Sequence, residues 1–197
     1  MTTQLATLPN GLRIVTDRIE TFTERGIELE SGAELEADVI VTATGLNMLF
    51  LGGMRVTVDG EEIDVPQAFT YKGMMLSEIP NFAFTVGYTN ASWTLKADLT
   101  AEYVCRLLNH MDATGHRVAM PRMTDPSMTE EPLLDFTSGY VQRSLAQLPK
   151  QGSKEPWKLR QNYPVDLRML RHGAIDDGIL EFSDPAAERR PLESAPA

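Results

Sequence analysis

Lys96 stands at the start of the clearest helical pattern in the sequence, in the first turn, where the positive end of the helix dipole disfavours a cation. Two readings follow. It is a solvated lysine held by Asp98 or a nearby loop acid, or it is a cation held against a negatively charged ligand. Two strand-like stretches give the second reading a setting. Val39 to Gly45 and Phe82 to Gly87 each end in a Gly-containing turn, and the second leads into the helix. In open α/β sheets, ligands bind at the carboxyl ends of strands, where small residues let a cofactor approach the backbone. A helix N-terminus aimed there offers unpaired N–H groups. Ordinary tight strand exits produce the same pattern, and geometry alone leaves the two level.

Other reactive side chains point less clearly to chemistry. His110, His116 and His172 are scattered and read as surface or helix-end residues. Cys105 lies mid-helix beside Val104 and reads as a small buried hydrophobe. The pairs Glu130-Glu131 and Asp176-Asp177 read as solvated faces or turns. No residue is assigned as catalytic and none as a metal ligand. No two glycines are separated by one residue, so G-x-G-x-x-G is absent. Gly173 and Gly178 have the spacing of a phosphate-binding loop, but Ile179 stands where that loop needs lysine. Neither G-x-S-x-G nor H-E-x-x-H occurs.

The elements that must position these residues can be sketched from periodicity. Leu12 to Thr16, Ile19 to Thr23 and Gly26 to Glu30 read as antiparallel ribbon segments separated by turns. They feed Val39-Ile40-Val41, a continuous apolar run suited to a strand covered on both faces. Val56 to Val58 and Ile63 to Val65 suit a hairpin around Asp59-Gly60. Phe69 to Tyr71 and Met74 to Leu76 read as short and loop-like, and Asn81 to Gly87 as a second buried strand. Ala97, Ala101, Val104, Leu108 and Met111 share one helical face, with Glu102 and Arg106 as an i,i+4 pair and Gly115 at the stop. Residues 121–132 read as a surface connection. Further helices are expected from about Ser138 to Gln147 and from Pro164 to His172, and a disordered tail from Ser183.

Composition narrows the classes. The 197 residues suit one domain of ordinary size, with 42% hydrophobic and 23% charged residues. With 28 acidic and 18 basic residues the net charge is −10, which argues against nucleic acid and anionic membrane surfaces as partners. One cysteine excludes an internal disulfide framework. Met1 to Leu8 lacks the features of a secretory signal. The stretch Val39 to Met54 is too often interrupted for a membrane span. The expectation is a cytoplasmic protein.

Longer stretches carry a resemblance. Ala37-Asp38-Val39-Ile40-Val41-Thr42-Ala43-Thr44-Gly45 resembles the A-T-G strand of two-dinucleotide-domain flavoproteins. Tyr71 to Phe84, running into Gly87-Tyr88-Thr89-Asn90-Ala91-Ser92-Trp93-Thr94-Leu95-Lys96-Ala97-Asp98-Leu99, is similar to the C-terminal half of bacterial flavin-containing monooxygenases, the group that includes Baeyer–Villiger enzymes. Asp135 to Tyr140, Leu148 to Ser153 and Pro156-Trp157 look like that family's C-terminal region. The resemblance covers roughly residues 12 to 182.

It implies an α/β chain holding the C-terminal portion of an incomplete doubly wound FAD/NAD(P)-binding fold, with an N-terminal β-meander and a helical C-terminal region. Residues 1–36 would be the β-rich end of a nicotinamide-binding domain, 37–115 the C-terminal part of the FAD-binding domain, 116–182 a helical extension and 183–197 a disordered tail. The implied cofactors are FAD and NADPH. The implied reaction is oxygenation of a small amine or sulfide, or Baeyer–Villiger oxidation, through a C4a-peroxyflavin. Ala43, Thr44 and Gly45 would turn the chain back into the FAD domain, and Thr94, Leu95, Lys96 and Ala97 would face the pyrimidine end of the flavin. Both dinucleotide fingerprints of the family are missing, so activity of this chain alone is not expected, and a separate N-terminal half or self-association is. The alternative is a non-catalytic interaction module derived from a flavoprotein.

Overall fold

A computed structural model describes residues 4–184. The chain divides between Gly45 and Leu46 into two compact units. In the first, β1 (Gln4–Thr7) and β2 (Arg13–Thr16) pair antiparallel. The turn between them closes with the Gly11 N–H donating to the Leu8 carbonyl at 2.9 Å. The strands β3 (Ile19–Phe22), β4 (Gly26–Leu29) and β5 (Glu34–Glu36) form a three-stranded antiparallel sheet in that order. Gly26 permits this close pairing, because a Cβ there would lie 1.9 Å from the Leu35 carbonyl oxygen. The expected ribbon segments are therefore present, and β1 and β5 extend them.

The strand expected at Val39-Ile40-Val41 does not form. Residues 37–49 belong to no ladder, and Val39 and Val41 are 79% and 84% exposed. A strand needs a neighbour to take its N–H and C=O groups, and the described residues offer none.

The second unit opens with a 3-10 turn at Phe50–Gly53, then the hairpin of β6 (Thr57–Val58) and β7 (Glu61–Glu62). Asp59 and Gly60 at its turn both have positive φ, 52° and 90°, as a two-residue type I′ connection requires. A second tight turn through Lys72 (φ 51°) and Gly73 (φ 68°) joins β8 (Thr70–Tyr71) to β9 (Met75–Leu76). These residues read as loop-like in sequence, yet Tyr71, Met74, Met75 and Leu76 are fully buried. A two-residue strand is too short to show alternation, so its burial is invisible to periodicity. Phe82 to Gly87, expected as a strand, is irregular; the Phe84 N–H donates to the Met74 carbonyl at 2.8 Å.

The helix α1 (Trp93–Thr114) follows. Gly115 ends it at φ 73°, with the Gly115 N–H on the Asp112 carbonyl and the His116 N–H on the Met111 carbonyl, a Schellman arrangement. Its buried face is Lys96, Leu99, Thr100, Tyr103, Leu107 and Met111. The expected face was rotated: Ala101 and Leu108 are exposed. Lys96, placed off that face in the sequence, and Tyr103 are buried here with polar partners. Glu102 and Arg106 do not pair either. Glu102 accepts from Arg171 at 2.5 Å, and Arg106 donates to the Leu170 and Gly173 carbonyls at 2.6 Å. Cys105, expected to be buried, is exposed.

Beyond the helix, β10 (Val118–Pro121), β11 (Glu130–Pro132), α2 (Gly139–Ser144), β12 (Lys150–Gly152), α3 (Tyr163–Asp166) and β13 (Leu180–Ser183) complete the unit. A 3-10 turn extends α2 to Gln147, and a π-helical stretch, Leu167–His172, extends α3. Both helices fall where expected. This region, expected to be helical, also contributes four strands, β10 pairing with β13 and β11 with β12. The tail expected from Ser183 lies outside the described residues after Asp184; Ser183 itself ends β13. The architecture is α/β with small sheets, and every named strand pair is antiparallel. One core gathers Tyr71, Met74, Met75, Trp157 and Leu170 against α1; a smaller one joins Ala68, Leu76, Ile79 and Phe84.

Candidate functional site

The site is built around the start of α1. Ser92 occupies the N-cap position but makes no side-chain cap bond; its hydroxyl lies 2.7 Å from that of Thr94. The first turn carries no acidic residue. A 22-residue helix thus begins with its positive end unneutralised by a cap or a first-turn carboxylate. Trp93, Thr94 and Leu95 are exposed there, and Ala97 is half-buried.

Lys96 is neither solvated nor held by Asp98. It is 4% exposed, and its Nζ lies 2.9 Å from Oδ2 of Asp166 on α3, 70 residues away. Asp98 instead lies 3.6 Å from Arg171. The Tyr88 hydroxyl donates to the same Asp166 oxygen at 2.7 Å, and the Lys96 ammonium sits 5.7 Å from the centre of the Tyr88 ring. Burial, together with the Asp166 hydrogen bond and charge, pushes the Tyr88 phenol above its ordinary range.

A second buried lysine lies nearby in the fold. Lys72, in the β8–β9 turn, is 4% exposed and 2.9 Å from Oδ2 of Asp177. The Tyr71 hydroxyl donates to that oxygen at 2.6 Å, and Lys72 donates to the Tyr103 hydroxyl at 3.2 Å. The Tyr103 hydroxyl, 3.2 Å from that of Tyr71, completes the ring of contacts. Lys72 also lies 4.8 and 4.7 Å from the centres of the Tyr71 and Tyr103 rings. Burial first, then the neighbouring Tyr103 and Asp177, push the Tyr71 phenol far up. Burial pushes the Asp177 carboxyl up, but the bonds from Tyr71 and Lys72 outweigh it and hold the group below its ordinary value. Gly73 seats this turn, since a Cβ there would meet Leu159 at 3.3 Å and the Lys96 stem at 3.8 Å.

Beside the α1 N-terminus is a cavity of about 520 Å³, lined by Phe50, Phe84, Val86, Trp93, Leu134 and Tyr140 among others. Trp93 lies directly over Gly87: a Cβ there would be 2.2 Å from the indole Cγ.

Of the residues singled out in the sequence, Thr94, Leu95, Lys96 and Ala97 do form the first turn of α1. Ala43, Thr44 and Gly45 lie in the first unit, exposed and outside any strand, with Gly45 at φ 86°. Sequence reasoning missed Tyr71, Lys72, Tyr88, Tyr103 and Asp166; Asp177, read as part of a solvated face or turn, is exposed outside any helix or strand but carries the partners Lys72 and Tyr71. One signal was available: Lys72 interrupts an apolar run from Phe69 to Leu76. His110 and His116 both pack on the Phe182 ring, with ring centres at 4.9 and 5.6 Å. Among the described residues no group of three His, Cys, Asp or Glu is placed to hold a metal ion, and no helix is long and apolar enough to cross a membrane.

No protein-family model matches the sequence, and no solved structure matches it. Curated relatives do. The chain is 53% identical over 190 residues to the FAD-containing monooxygenase EthA of Mycobacterium tuberculosis, covering 91% of this chain and 39% of that protein. It is 47% identical over 196 residues to the putative FAD-containing monooxygenase MymA of the same species, covering 94% and 40%. It is 45% identical over 170 residues to the probable FAD-binding monooxygenase AlmA of Acinetobacter baylyi, covering 86% and 34%. The chain thus spans about 35–40% of the length of the curated relatives it matches. Over about nine tenths of its own length, this chain is a stretch of FAD-containing-monooxygenase sequence.

Proposed function

We propose that the chain is the C-terminal part of an FAD-dependent, NADPH-using monooxygenase acting on small organic molecules, and that it supplies the flavin-end contacts of that enzyme. The observation that carries this reading is the start of α1, a long helix whose positive end has neither a side-chain cap nor an acidic first turn, set beside an apolar cavity. Such an end suits the electron-rich, pyrimidine edge of a flavin. In this reading Thr94, Leu95, Lys96 and Ala97 face that edge, with the first-turn N–H groups as donors. Ala43, Thr44 and Gly45 provide side-chain-poor backbone where the chain enters the FAD domain. Residues 1–36 close the nicotinamide domain, 37–115 the FAD domain, and 116–182 extend it.

Bound FAD supplies electron transfer from reduced nicotinamide to O₂ and delivery of one oxygen atom to the organic substrate. The protein's share is to bind, orient and exclude water. Asp166 offsets the Lys96 charge, so the attraction of the helix end for an anion rests on its N–H groups, with Lys96 held rigidly behind them. The residues present fit the flavin end only; nothing in the chain matches a dinucleotide fingerprint for the adenosine and pyrophosphate. Activity therefore requires further sequence that carries those fingerprints.

The test is to titrate FAD into the purified chain, alone and mixed with the part of EthA outside the match, following flavin fluorescence and NADPH oxidation. Weak binding alone, strengthened by the second polypeptide together with FAD-dependent NADPH oxidation, is expected. A soluble, folded chain that ignores FAD in both settings overturns it. That result leaves a non-catalytic interaction module, a reading favoured by the exposed apolar side chains of Val39, Val41 and Leu46.

A further inference from the structure

We propose that the π-helical stretch Leu167–His172 is a positioning element for the start of α1, and that Arg106 is the residue that holds it: together they keep the Asp166 carboxylate on the Lys96 ammonium. The placement of Lys96 rests on the geometry alone; its bearing on a flavin rests on the oxygenase reading above.

Two contacts with α1 require the wider turn. Asp166 meets Lys96 at 2.9 Å, and Arg171, five residues on, meets Glu102 at 2.5 Å and Asp98 at 3.6 Å. At about 3.6 residues per turn, positions five apart in an α-helix point roughly 140° away from each other, so one of the two would leave α1. A π-turn closes from i to i+5 and brings such positions over one another. Leu170, between them, is fully buried in the core that also holds Leu99, Tyr103 and Leu107 of α1. Asp166, Leu170 and Arg171 are thus a set that a plain α-helix cannot present together.

Both ends of the segment are fixed. Asn162 caps its start, with the side-chain oxygen accepting from the Val165 N–H at 3.2 Å, and Pro164 sits in the first turn. At the other end the last carbonyls lack helical partners. Arg106 supplies them: its two terminal nitrogens donate to the Leu170 and Gly173 carbonyls, each at 2.6 Å. These bonds are charge-assisted, and a cation suits the negative end of a helix. Only a planar fork holds both oxygens at once. Without it the stretch recovers α-helical bonding by giving up its extra residue. Burial keeps Leu170 in the core, so the rotation falls on Asp166, which swings off α1. Lys96 then loses its counter-charge behind the helix start.

The test reads Lys96 in the full chain without flavin. A pulse of acetic anhydride is followed by peptide mass spectrometry of each lysine. Buried and paired, Lys96 should acetylate at least tenfold less than the exposed Lys154. Deleting Arg168, an exposed residue inside the stretch, removes the extra residue, whereas Arg168→Ala keeps it. The deletion and Arg106→Met should each raise Lys96 acetylation at least tenfold, and Arg168→Ala should leave it unchanged. Lys72, buried against Asp177, reports on the fold and should stay protected in all three variants. Lys96 still protected in the deletion variant, or exposed only together with Lys72, overturns the proposal. Mixed with the part of EthA outside the match, the deletion variant places an uncompensated ammonium beside the flavin edge. That charge favours the more negative reduced flavin, so the reduction potential of bound FAD should rise relative to Arg168→Ala. An unchanged potential with Lys96 exposed overturns its bearing on the flavin. Absence of FAD binding by the Arg168→Ala mixture overturns the oxygenase reading and leaves the acetylation result to decide the positioning.

Discussion

The two buried lysines are costly to bury and are made tolerable by specific partners. Lys96→Met leaves Asp166 and the Tyr88 hydroxyl without their cation, and breaking such a buried pair costs about 3–5 kcal/mol. Lys96→Met combined with Asp166→Leu should recover most of that loss in urea unfolding, because the desolvation of both charges disappears too. Failure of the double variant to recover would make the pair a net stabiliser. The other network predicts a pH dependence. Asp177 is held below the ordinary carboxylate value, so the folded chain binds fewer protons there than the unfolded chain. Its contribution is present above about pH 4 and is lost as pH falls through the lowered value. Asp177→Asn should flatten the acid limb of stability against pH. Tyr71 and Tyr88 have the opposite sense: their raised values keep their contribution intact below about pH 10, and it is lost as pH rises beyond that. In an alkaline absorbance titration Tyr71 and Tyr88 should form tyrosinate only as the chain unfolds. None of these pairs was readable from spacing. Asp166 lies 70 residues from Lys96, and nothing local marks it as buried.

At the scale of elements, legibility follows locality. The Asp59-Gly60 turn, the Gly115 helix stop and the two later helices were readable because turn and cap chemistry is written within a few residues, whereas the hairpin's second arm is Glu61–Glu62 and not the apolar Ile63 to Val65. Gly115→Ala should destabilise the chain by about 1–2 kcal/mol, since a Cβ at φ 73° meets the left-handed penalty although the surrounding space is open. A loss near zero in thermal unfolding would mean that the helix end refolds into another cap. The buried face of α1 was misread for a physical reason. Lys96 and Tyr103 are polar by composition and inward by partnership, and Thr100 is inward with its hydroxyl unpartnered; hydropathy patterning records only the composition. The same limit hid the β8–β9 turn, whose burial depends on Trp157 and α1 from distant sequence.

At the scale of the whole molecule, the clearest mismatch between sequence and structure is the stretch around Val39-Ile40-Val41. Its composition is that of a strand covered on both faces, and its structure is an exposed, unpaired segment. Both are consistent if the partner strand belongs to polypeptide outside the described residues, as expected of a chain spanning about 35–40% of its relatives' length. Neighbouring backbone would satisfy its N–H and C=O groups, and apolar faces would cover Val39 and Val41. Hydrogen exchange reads this directly. In the chain alone, the amides of residues 39–41 should exchange without protection, while those in the middle of α1 are protected by the helix and core. Mixing with the part of EthA outside the match should slow exchange at 39–41 and leave the middle of α1 nearly unchanged. Val41→Asp should abolish the new protection, because a carboxylate cannot enter a sheet interior unpaired. Protection of 39–41 in the chain alone, growing with its concentration, would instead identify a second copy of this chain as the partner and favour the interaction-module reading.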